Sequence, residues 1–247
     1  MPSSTAPVAL VTGANKGIGL ATARLLAARG MSVLVGSRDP ERGAGAVAAL
    51  VGDGFDARHV PIDIADDASV AAAARQIDAE HGRLDVLVNN AGVLVRRPAL
   101  DVTAADTRTE LETNVVGLVR VIHAMLPLLR RSDAPRVVNV SSDSASFGYT
   151  TQEGSMFAAS HESFVYSAAK AAVNMLTVKY AQACHDDPGL SHLRMNAVTP
   201  GYTATDLNGF RGTKTTEEGA QAIVHWATVG PDAPSGGFFD DAGPVPW

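Results

Sequence analysis

The chain has 247 residues, of which 46% are apolar and 19% charged, and its formal net charge at pH 7 is −6. The apolar fraction is normal for a globular domain and excludes a disordered chain. The mild excess of acidic residues argues against a nucleic-acid partner, because binding phosphates requires clustered Lys and Arg. The single cysteine, Cys184, cannot form an internal disulfide, and no Cys/His cluster has zinc spacing. We therefore expect no metal site and a cytoplasmic location.

The chain shows no sign of membrane targeting. Its first residues, MPSSTAPVALVTG, lack a basic region followed by an apolar core, so no signal peptide is expected. No stretch approaches the ~18 uninterrupted apolar residues of a membrane helix, so no membrane partner is expected either. The length alone permits one large domain or two small ones.

Short apolar runs alternate with segments of helical periodicity along the chain. The predicted strands are residues 8–12, 33–36, 58–62, 84–88, 136–140, 193–198 and a short 237–239. The predicted helices are residues 20–29, 40–50, 66–81, 104–131 with Pro127 bending its last turns, 163–183 and 216–228. This alternation predicts an α/β fold, a parallel sheet of about seven strands with helices on both faces. No linker or solenoid repeat interrupts the order, so a single doubly wound domain over 1–247 is expected.

A glycine-rich loop with the sequence TGANKGIG follows the first predicted strand and opens its helix. Glycines there allow a tight turn and let backbone N–H groups approach a pyrophosphate. An ordinary glycine-rich turn is the alternative, but the loop has the strand–turn–helix context that a Rossmann-type dinucleotide site requires. The loop residues predicted to bind the cofactor are Gly13, Asn15, Lys16, Gly17, Ile18 and Gly19.

The end of the second predicted strand bears on which nicotinamide cofactor is bound. In this fold an acid there binds the ribose diol of NAD, whereas an Arg accommodates the 2′-phosphate of NADP. Asp39 has the spacing of the NAD acid, yet Asp39-Pro40 is already explained as the N-cap and first residue of a helix. Arg38 directly after the strand, with Lys16 as a second nearby charge, favours NADP(H). A solvated surface charge at Arg38 is the alternative.

Tyr166 and Lys170 lie four residues apart in a predicted helix, so both side chains project from one face. A phenol with a pKa near ~10 is a poor proton shuttle at pH 7, and an adjacent ammonium lowers that pKa. The spacing therefore indicates a proton-transfer pair, with an inactive surface pair as the alternative. Tyr149 has Glu153 where the lysine would stand, so Tyr166 is the expected catalytic residue.

The order of these features resembles that of the short-chain dehydrogenase/reductases. The motifs that carry the resemblance are TGANKGIG, NNAG at 89–92, Asn114, Ser142, Tyr166 with Lys170, and Pro200-Gly201. The resemblance extends from Val8 to the C-terminus, and the stretches VALVTGANKGIGLAT and PGYTATDL look most like the carbonyl reductase branch. It implies an NADPH-dependent oxidoreductase that reduces a small-molecule ketone or aldehyde to an alcohol.

The resemblance also implies roles for individual residues. Tyr166 would protonate the carbonyl oxygen, while Lys170 would lower the pKa of Tyr166 and hold the nicotinamide ribose. Ser142 would hydrogen-bond the substrate carbonyl, and Asn114 would anchor a water that relays protons to Lys170. Simpler alternatives are helix capping by Ser142 and a backbone bond within its own helix for Asn114. Further cofactor contacts are implied for Asp63, Ile64, Asn90, Ala91, Gly92, Pro200, Gly201, Thr203 and Thr205.

Ser142 and Tyr166 are separated by more residues than is usual in the family, so residues 143–165 contain an insertion on the substrate side. The segment is partly apolar through Phe147, Met156, Phe157, His161 and Phe164. The insertion would form a pocket wall, cover a subunit surface or be a surface loop. The resemblance implies a homo-oligomer, the usual state of the family, but long insertions at this place occur in its monomeric carbonyl reductases, so a monomer is the alternative.

Two alternative functions stay open. A 3-oxoacyl thioester reductase would need a positive surface for an acidic carrier protein. The basic pairs available for it are Arg96, Arg97, Arg130 and Arg131. A non-catalytic NADP-binding sensor or scaffold is the other alternative, and the complete catalytic set argues against it. The short stretch between Pro200-Gly201 and the last helix leaves little room for a lid, which predicts an open pocket for varied or bulky carbonyl compounds.

Overall fold

The computed structural model describes residues 6–158 and 162–247. The strands in these ranges are β1 (Val8–Thr12), β2 (Ser32–Ser37), β3 (Ala57–Pro61), β4 (Val86–Asn89), β5 (Arg136–Val140), β6 (Arg194–Val198) and β7 (Phe238–Phe239). They form one parallel sheet in the order β3-β2-β1-β4-β5-β6-β7. The predicted fold class, a doubly wound parallel sheet of about seven strands, is confirmed.

The α-helices in the same ranges are α1 (Gly17–Ala27), α2 (Pro40–Gly52), α3 (Asp67–His81), α4 (Ala104–Leu111), α5 (Gly117–Leu129), α6 (Phe147–Thr151), α7 (Phe164–Asp186) and α8 (Thr216–Ala227). Short 3-10 turns lie at Ala99–Asp101, Asp143–Ala145 and Asp206–Asn208. A π-helical turn at Glu112–Val116 separates α4 from α5.

Helices cover both faces of the sheet. On one face, α3, α5 and α7 contribute buried side chains such as Ile77, Ile122 and Val173. On the other face, α1, α2 and α8 contribute side chains such as Leu26 and Ile223. Because both faces are covered, the central strands are continuous apolar runs and do not alternate between apolar and polar residues.

The order of strands reverses between β1 and β4, which lie side by side although β2 and β3 come between them in the chain. In doubly wound sheets, ligands bind in the crevice outside the carboxyl ends of the strands at such a point. The Thr12 hydroxyl ties the two strand ends together. It donates to the Val88 carbonyl at 3.3 Å and accepts the N–H groups of Asn90 and Ala91 at 3.0 and 3.1 Å.

The long helix predicted over residues 104–131 is not one regular helix. It consists of α4, the π-helical turn and α5, which ends at Leu129 and contains Pro127. A π turn interrupts the regular hydrogen-bond ladder and is frequent at functional sites. Apolar periodicity alone does not reveal it, because each half keeps its own regular pattern.

The helical run Ala104–Leu129 bears on the expectation that the chain has no membrane helix. Within the described residues it is the helix whose length and composition would allow it to cross a membrane. Its side chains Val121, Ile122 and Met125 are buried in the core beneath the sheet. A core helix passes the same composition test, so this run carries no argument for a membrane location.

The remaining differences lie at the ends of elements. β3 begins one residue before the predicted strand at 58–62, and β4 begins at Val86 although residues 84–88 were predicted. Leu84 is buried, but its N–H donates to the Leu128 carbonyl outside the sheet ladder. Helix α6, within the insertion, is capped by the Ser146 hydroxyl and was not predicted, because five residues are too few to show a period.

Candidate active site

A cavity of about 800 Å³ opens at the carboxyl ends of the central strands. All of the predicted cofactor residues line it, and so do three of the four predicted catalytic residues. The exception is Asn114, which lies behind the wall. Its Oδ1 accepts the Val93 N–H and its Nδ2 donates to the Val93 carbonyl, both at 2.8 Å. Asn114 therefore fixes a segment of the wall, and its side chain does not bond the backbone of its own helix.

The glycine-rich loop packs tightly against the end of β4. Gly13 has a φ of +65°, and an added Cβ would lie 3.0 Å from the Ala91 Cα. A Cβ on Gly19 would lie 2.5 Å from both the Gly13 carbonyl oxygen and Asn90 Nδ2. The Asn90 amide also donates to the carbonyls of Thr12 and Gly13, at 2.9 and 3.3 Å. Side-chain bulk is excluded here, and the backbone is left open to the cleft.

We expect Gly19→Ala to destabilise the protein by about 1–3 kcal/mol, because the new Cβ meets a backbone carbonyl that must shift. Gly45→Ala in α2 is the matched control, since a Cβ there meets nothing within 4 Å. A helical Gly→Ala change in open space stabilises by about 0.5–1 kcal/mol. Urea unfolding of both variants measures the difference, and equal stability of Gly19→Ala and the wild type would contradict the close packing.

The N-terminus of α1 presents an anion site to the cleft. Lys16 is the N-cap residue but makes no capping hydrogen bond, and the first three helical residues line the cavity. Unsatisfied N–H groups and the helix dipole favour negative charge at this position. This arrangement fits a pyrophosphate.

The cleft is cationic where it passes the end of β2. Arg38 and Arg42 both line it, and Arg42 was not predicted, although its four-residue spacing from Arg38 could have indicated it. Asp39 caps α2, because its Oδ1 accepts the Arg42 N–H at 3.0 Å, and its Oδ2 lies 3.2 Å from Arg42 Nε. The interpretation of Asp39 as an N-cap is confirmed. Two guanidinium groups at this end suit a phosphate.

Lys16 is paired across the cleft. Its ammonium contacts the carboxylate of Asp206 in the 3-10 turn after β6, and both side chains are about half exposed. This ion pair joins the glycine-rich loop to the segment that follows Pro200-Gly201. Exposed pairs contribute about 0–1 kcal/mol, so the Lys16 ammonium can exchange this carboxylate for a phosphate at little cost.

Tyr166 and Lys170 project from one face of α7, as their spacing predicts. Lys170 Nζ lies 5.6 Å from the centroid of the Tyr166 ring. Lys170 is buried, and its ammonium donates to the Val140 carbonyl, at the end of β5, at 2.7 Å. The strand end thus fixes the ammonium beside the phenol ring.

The two serines after β5 have different surroundings. The Ser141 hydroxyl is buried and donates to Asn174 Oδ1 at 2.6 Å, so its contacts are structural. Ser142 lines the cavity, and its hydroxyl lies 3.0 Å from that of Ser144 and caps the 3-10 turn. Ser142 is therefore the serine that a ligand can reach, and the capping role weighed for it is also present.

Burial changes the ionisation of the Tyr/Lys pair. Burial lowers the pKa of Lys170 to about 8, and the Glu110 carboxylate partly opposes this. Burial also raises the pKa of Tyr166, and the charges of Glu110 and Asp143 raise it further. Without cofactor, the expected lowering of the pKa of Tyr166 by Lys170 is therefore not present. A tyrosine that stays protonated is a proton donor, which is the role that carbonyl reduction requires.

Part of the insertion forms a wall of the cleft. Met156 and Phe157 line the cavity, although Met156 is largely exposed. Phe147 and Phe164 are also largely exposed and do not line it. The apolar or aromatic residues that line the cavity from other segments include Leu94, Tyr202 and Leu207. The predicted residue His161 lies outside the described residues.

Tyr149 belongs to a different environment. It packs against a small buried cluster of Ala197, Phe238 and Val245. It does not line the cavity around Tyr166. This position agrees with choosing Tyr166 over Tyr149 from the sequence.

A family model described as short chain dehydrogenase matches residues 7–216. The chain belongs to the short-chain dehydrogenase family. A short-chain dehydrogenase of Penicillium roqueforti is 34% identical over 247 residues, which cover 98% of this chain and 96% of that protein. Carbonyl reductase [NADPH] 1 of Mus musculus is 33% identical over 280 residues, covering 99% of this chain and all of that one. The NADPH-bound carbonyl reductase from chicken fatty liver superposes with a TM-score of 0.85 at 26% identity, covering 98% of each chain.

These comparisons confirm the family and the likeness to carbonyl reductases that the motifs predict. The prediction of an oxidoreductase of this family is likewise confirmed. One of the relatives is named for NADPH and one of the solved structures contains it, in agreement with the predicted cofactor NADP(H).

Proposed function

We propose that the protein reduces the carbonyl group of ketones or aldehydes to alcohols with NADPH. The observation that carries the proposal is Tyr166 beside the buried Lys170 and near Ser142, in the same cleft as the cationic end at Arg38 and Arg42. One end of the cleft can transfer a proton, and the other can hold a phosphate. The family match and the NADPH-linked relatives support the same assignment.

The residues of the cleft fit NADP(H). The space left by Gly13 and Gly19 and the uncapped N-terminus of α1 suit the pyrophosphate, and Arg38 suits the 2′-phosphate. The implied contacts of Asp63 and of Gly92 lie along the same cleft. When bound, the reduced nicotinamide supplies the hydride that reaches the carbonyl carbon.

The residues around the reacting carbonyl have separate tasks. The Ser142 hydroxyl donates a hydrogen bond to the carbonyl oxygen and orients it, and Tyr166 gives its phenolic proton to that oxygen as the carbon is reduced. Lys170, held by the Val140 carbonyl, stabilises the phenolate that remains. The Asn114 side chain is engaged by Val93, so the water proposed to return protons is assigned to its main chain, within the π-helical turn.

The substrate side of the cleft supports a bulky or varied carbonyl compound, because Met156 and Phe157 offer apolar surface there. In a substrate panel run with NADPH and NADH in parallel, we expect NADPH-dependent reduction of carbonyl compounds of several sizes. Met156→Ala removes apolar contact of about 1 kcal/mol, so the KM for bulky apolar substrates rises about fivefold.

Met175→Ala is the control for that variant, since Met175 is exposed on α7 and does not line the cavity. It should leave the substrate profile unchanged. A strong preference for NADH would contradict the cofactor assignment, and activity on one small compound alone would contradict the open pocket.

The acyl-carrier reductase alternative finds less support. Its basic residues are all engaged in ion pairs, namely Arg96 with Glu162, Arg97 with Asp106, Arg130 with Asp187 and Arg131 with Asp78. Paired guanidinium groups attract an acidic carrier weakly, because their charge is neutralised locally. The sensor or scaffold alternative is disfavoured by the assembled Tyr166–Lys170 pair.

The proposal keeps the remaining expectations from the sequence. It assigns a small-molecule partner, a cytoplasmic location and one domain over 1–247. The buried, unpaired Cys184 supports a reducing compartment. A sheet that takes strands from β1 to β7 supports a single domain.

A further inference from the structure

Glu110, in α4, is a buried carboxylate that the proposed reaction does not use. Its side chain has no exposed surface. Among the described residues neither carboxylate oxygen has a hydrogen-bond partner. Burial raises the pKa of Glu110, and the backbone of Val95 and the charge of Lys170 oppose this. An unpartnered buried carboxylate is costly, so its presence calls for a physical reason.

The position of Glu110 connects it to the catalytic helix. Glu110 and Asn114 are both buried, so both lie on the buried side of the helical run, and α4 packs against α7. A Cβ on Gly92 would lie 3.1 Å from Asn114 Oδ1 and 3.7 Å from Lys170 Nζ. The buried side of this run therefore comes close to the ammonium that stands beside Tyr166.

The charges around this cluster are few. In the described ranges, the charge of Glu110 raises the pKa of both Lys170 and Tyr166 of α7. On α4 itself Asp106 acts on Glu110, but Asp106 is paired with Arg97 at 3.1 Å. After β5, Asp143 acts on Tyr166. Glu110 is the carboxylate whose charge acts on Lys170, and Lys170 is the cation whose charge acts on Glu110.

We propose that Glu110 is a positioning residue, the buried counter-ion that keeps the Lys170 ammonium charged beside Tyr166. Burial disfavours the charge of each group alone, and two opposite buried charges support each other. The Val140 carbonyl accepts a hydrogen bond from Lys170 but carries no net charge, so it cannot replace the carboxylate. The part of this inference that concerns catalysis rests on the proposed function, whereas the ionisation of Lys170 does not.

The decisive experiment is an NMR titration of the lysine side chains in the cofactor-free protein. The chain contains four lysines, Lys16, Lys170, Lys179 and Lys214, so ¹³C-labelled lysine gives few signals, and the one missing in Lys170→Met identifies Lys170. In Glu110→Gln the titration of Lys170 should move to lower pH by about one unit, because an opposite charge has been removed. Glu110→Asp keeps the charge and should restore most of the wild-type titration.

Glu112→Gln is the matched control. It removes the same charge two residues away, from a side chain that pairs with Arg120 at 2.9 Å, and should leave the titration of Lys170 unchanged. Glu110→Leu removes the charge while suiting a buried helical position, and should give the same shift as Glu110→Gln if that variant folds poorly. A Lys170 titration equal to the wild type in the folded charge-removing variant overturns the proposal.

The pH profile of carbonyl reduction gives the second readout. Removing the Glu110 anion lowers the pKa of both Lys170 and Tyr166, so the charged lysine and the protonated tyrosine are lost at lower pH. The alkaline limb of kcat/KM should therefore move to lower pH in Glu110→Gln. A merely structural role would lower kcat at every pH without moving this limb. If no carbonyl compound is reduced, the proposed function fails, while the lysine titration still decides the role of Glu110.

Discussion

Tyr166→Phe should lower kcat for carbonyl reduction by about 100- to 10 000-fold, which is the usual contribution of a general acid. The variant keeps the ring beside Lys170 and removes only the phenolic proton, so NADPH binding and folding should be retained. Stopped-flow measurement of NADPH oxidation gives the rate, and NADPH fluorescence gives the affinity. Tyr166 lines the cavity beside Ser142 and next to Lys170, whereas Tyr202, the other tyrosine among the lining residues, comes from the segment after β6.

The control for this variant is Tyr180→Phe, which makes the same chemical change on the same helix. Tyr180 packs at the edge of the core and does not line the cavity, so kcat should be unchanged. Undiminished NADPH oxidation by Tyr166→Phe would show that the proposed mechanism is wrong. Loss of NADPH binding in that variant would show that the main role of Tyr166 is to bind the cofactor and not to transfer a proton.

Arg38→Ala should weaken NADPH binding by about 10- to 100-fold and leave NADH binding nearly unchanged. A charge-assisted hydrogen bond to a phosphate is worth about 1.5–3 kcal/mol, and NADH has no 2′-phosphate to lose it. Adding Arg42→Ala should weaken NADPH binding further, since both guanidinium groups line this end of the cleft. Titration calorimetry with the two cofactors measures the difference.

Arg29→Ala is a control that removes one positive charge from an exposed position outside the cleft, just after α1. It should change neither affinity. Equal weakening of NADPH and NADH by Arg38→Ala would mean that Arg38 supports the adenosine half in general and does not select the phosphate. If Arg38→Ala changes the affinity for neither cofactor, the alternative that Arg38 is a solvated surface charge is correct.

The sequence predicts the architecture well because its signals are local. Strands covered on both faces give continuous apolar runs in the sequence, such as VALVT in β1. The helices between them give the apolar periodicity of an α-helix. The Tyr166–Lys170 pair was also predictable, since a four-residue spacing in a helix fixes their relation. The predicted ends of β3 and β4 were less accurate. Where a strand ends depends on its hydrogen bonds to partner strands, which the local sequence does not show.

The parts of the site that the sequence did not predict depend on tertiary packing. Glu110 looks like any polar residue of an amphipathic helix, and only the packing of α4 against α7 buries it. Thr12 looks like the last residue of a strand, yet its hydroxyl joins β1 to β4. The ion pair of Lys16 with Asp206 joins residues far apart in the chain, which no local pattern can indicate.

The π-helical turn at Glu112–Val116 sets the helical phase on either side of it. One extra residue in the turn sets the residues that follow back by roughly 100° around the axis, relative to their positions in an uninterrupted α-helix. The buried side chains of the two halves can therefore point toward different neighbours. Glu110 of α4 lies on the side of α7, and Ile122 and Met125 of α5 lie in the core. A regular helix of the same composition would have to misdirect one of these two sets of side chains. The extra residue lets a single helical run serve both the core of the sheet and its catalytic edge.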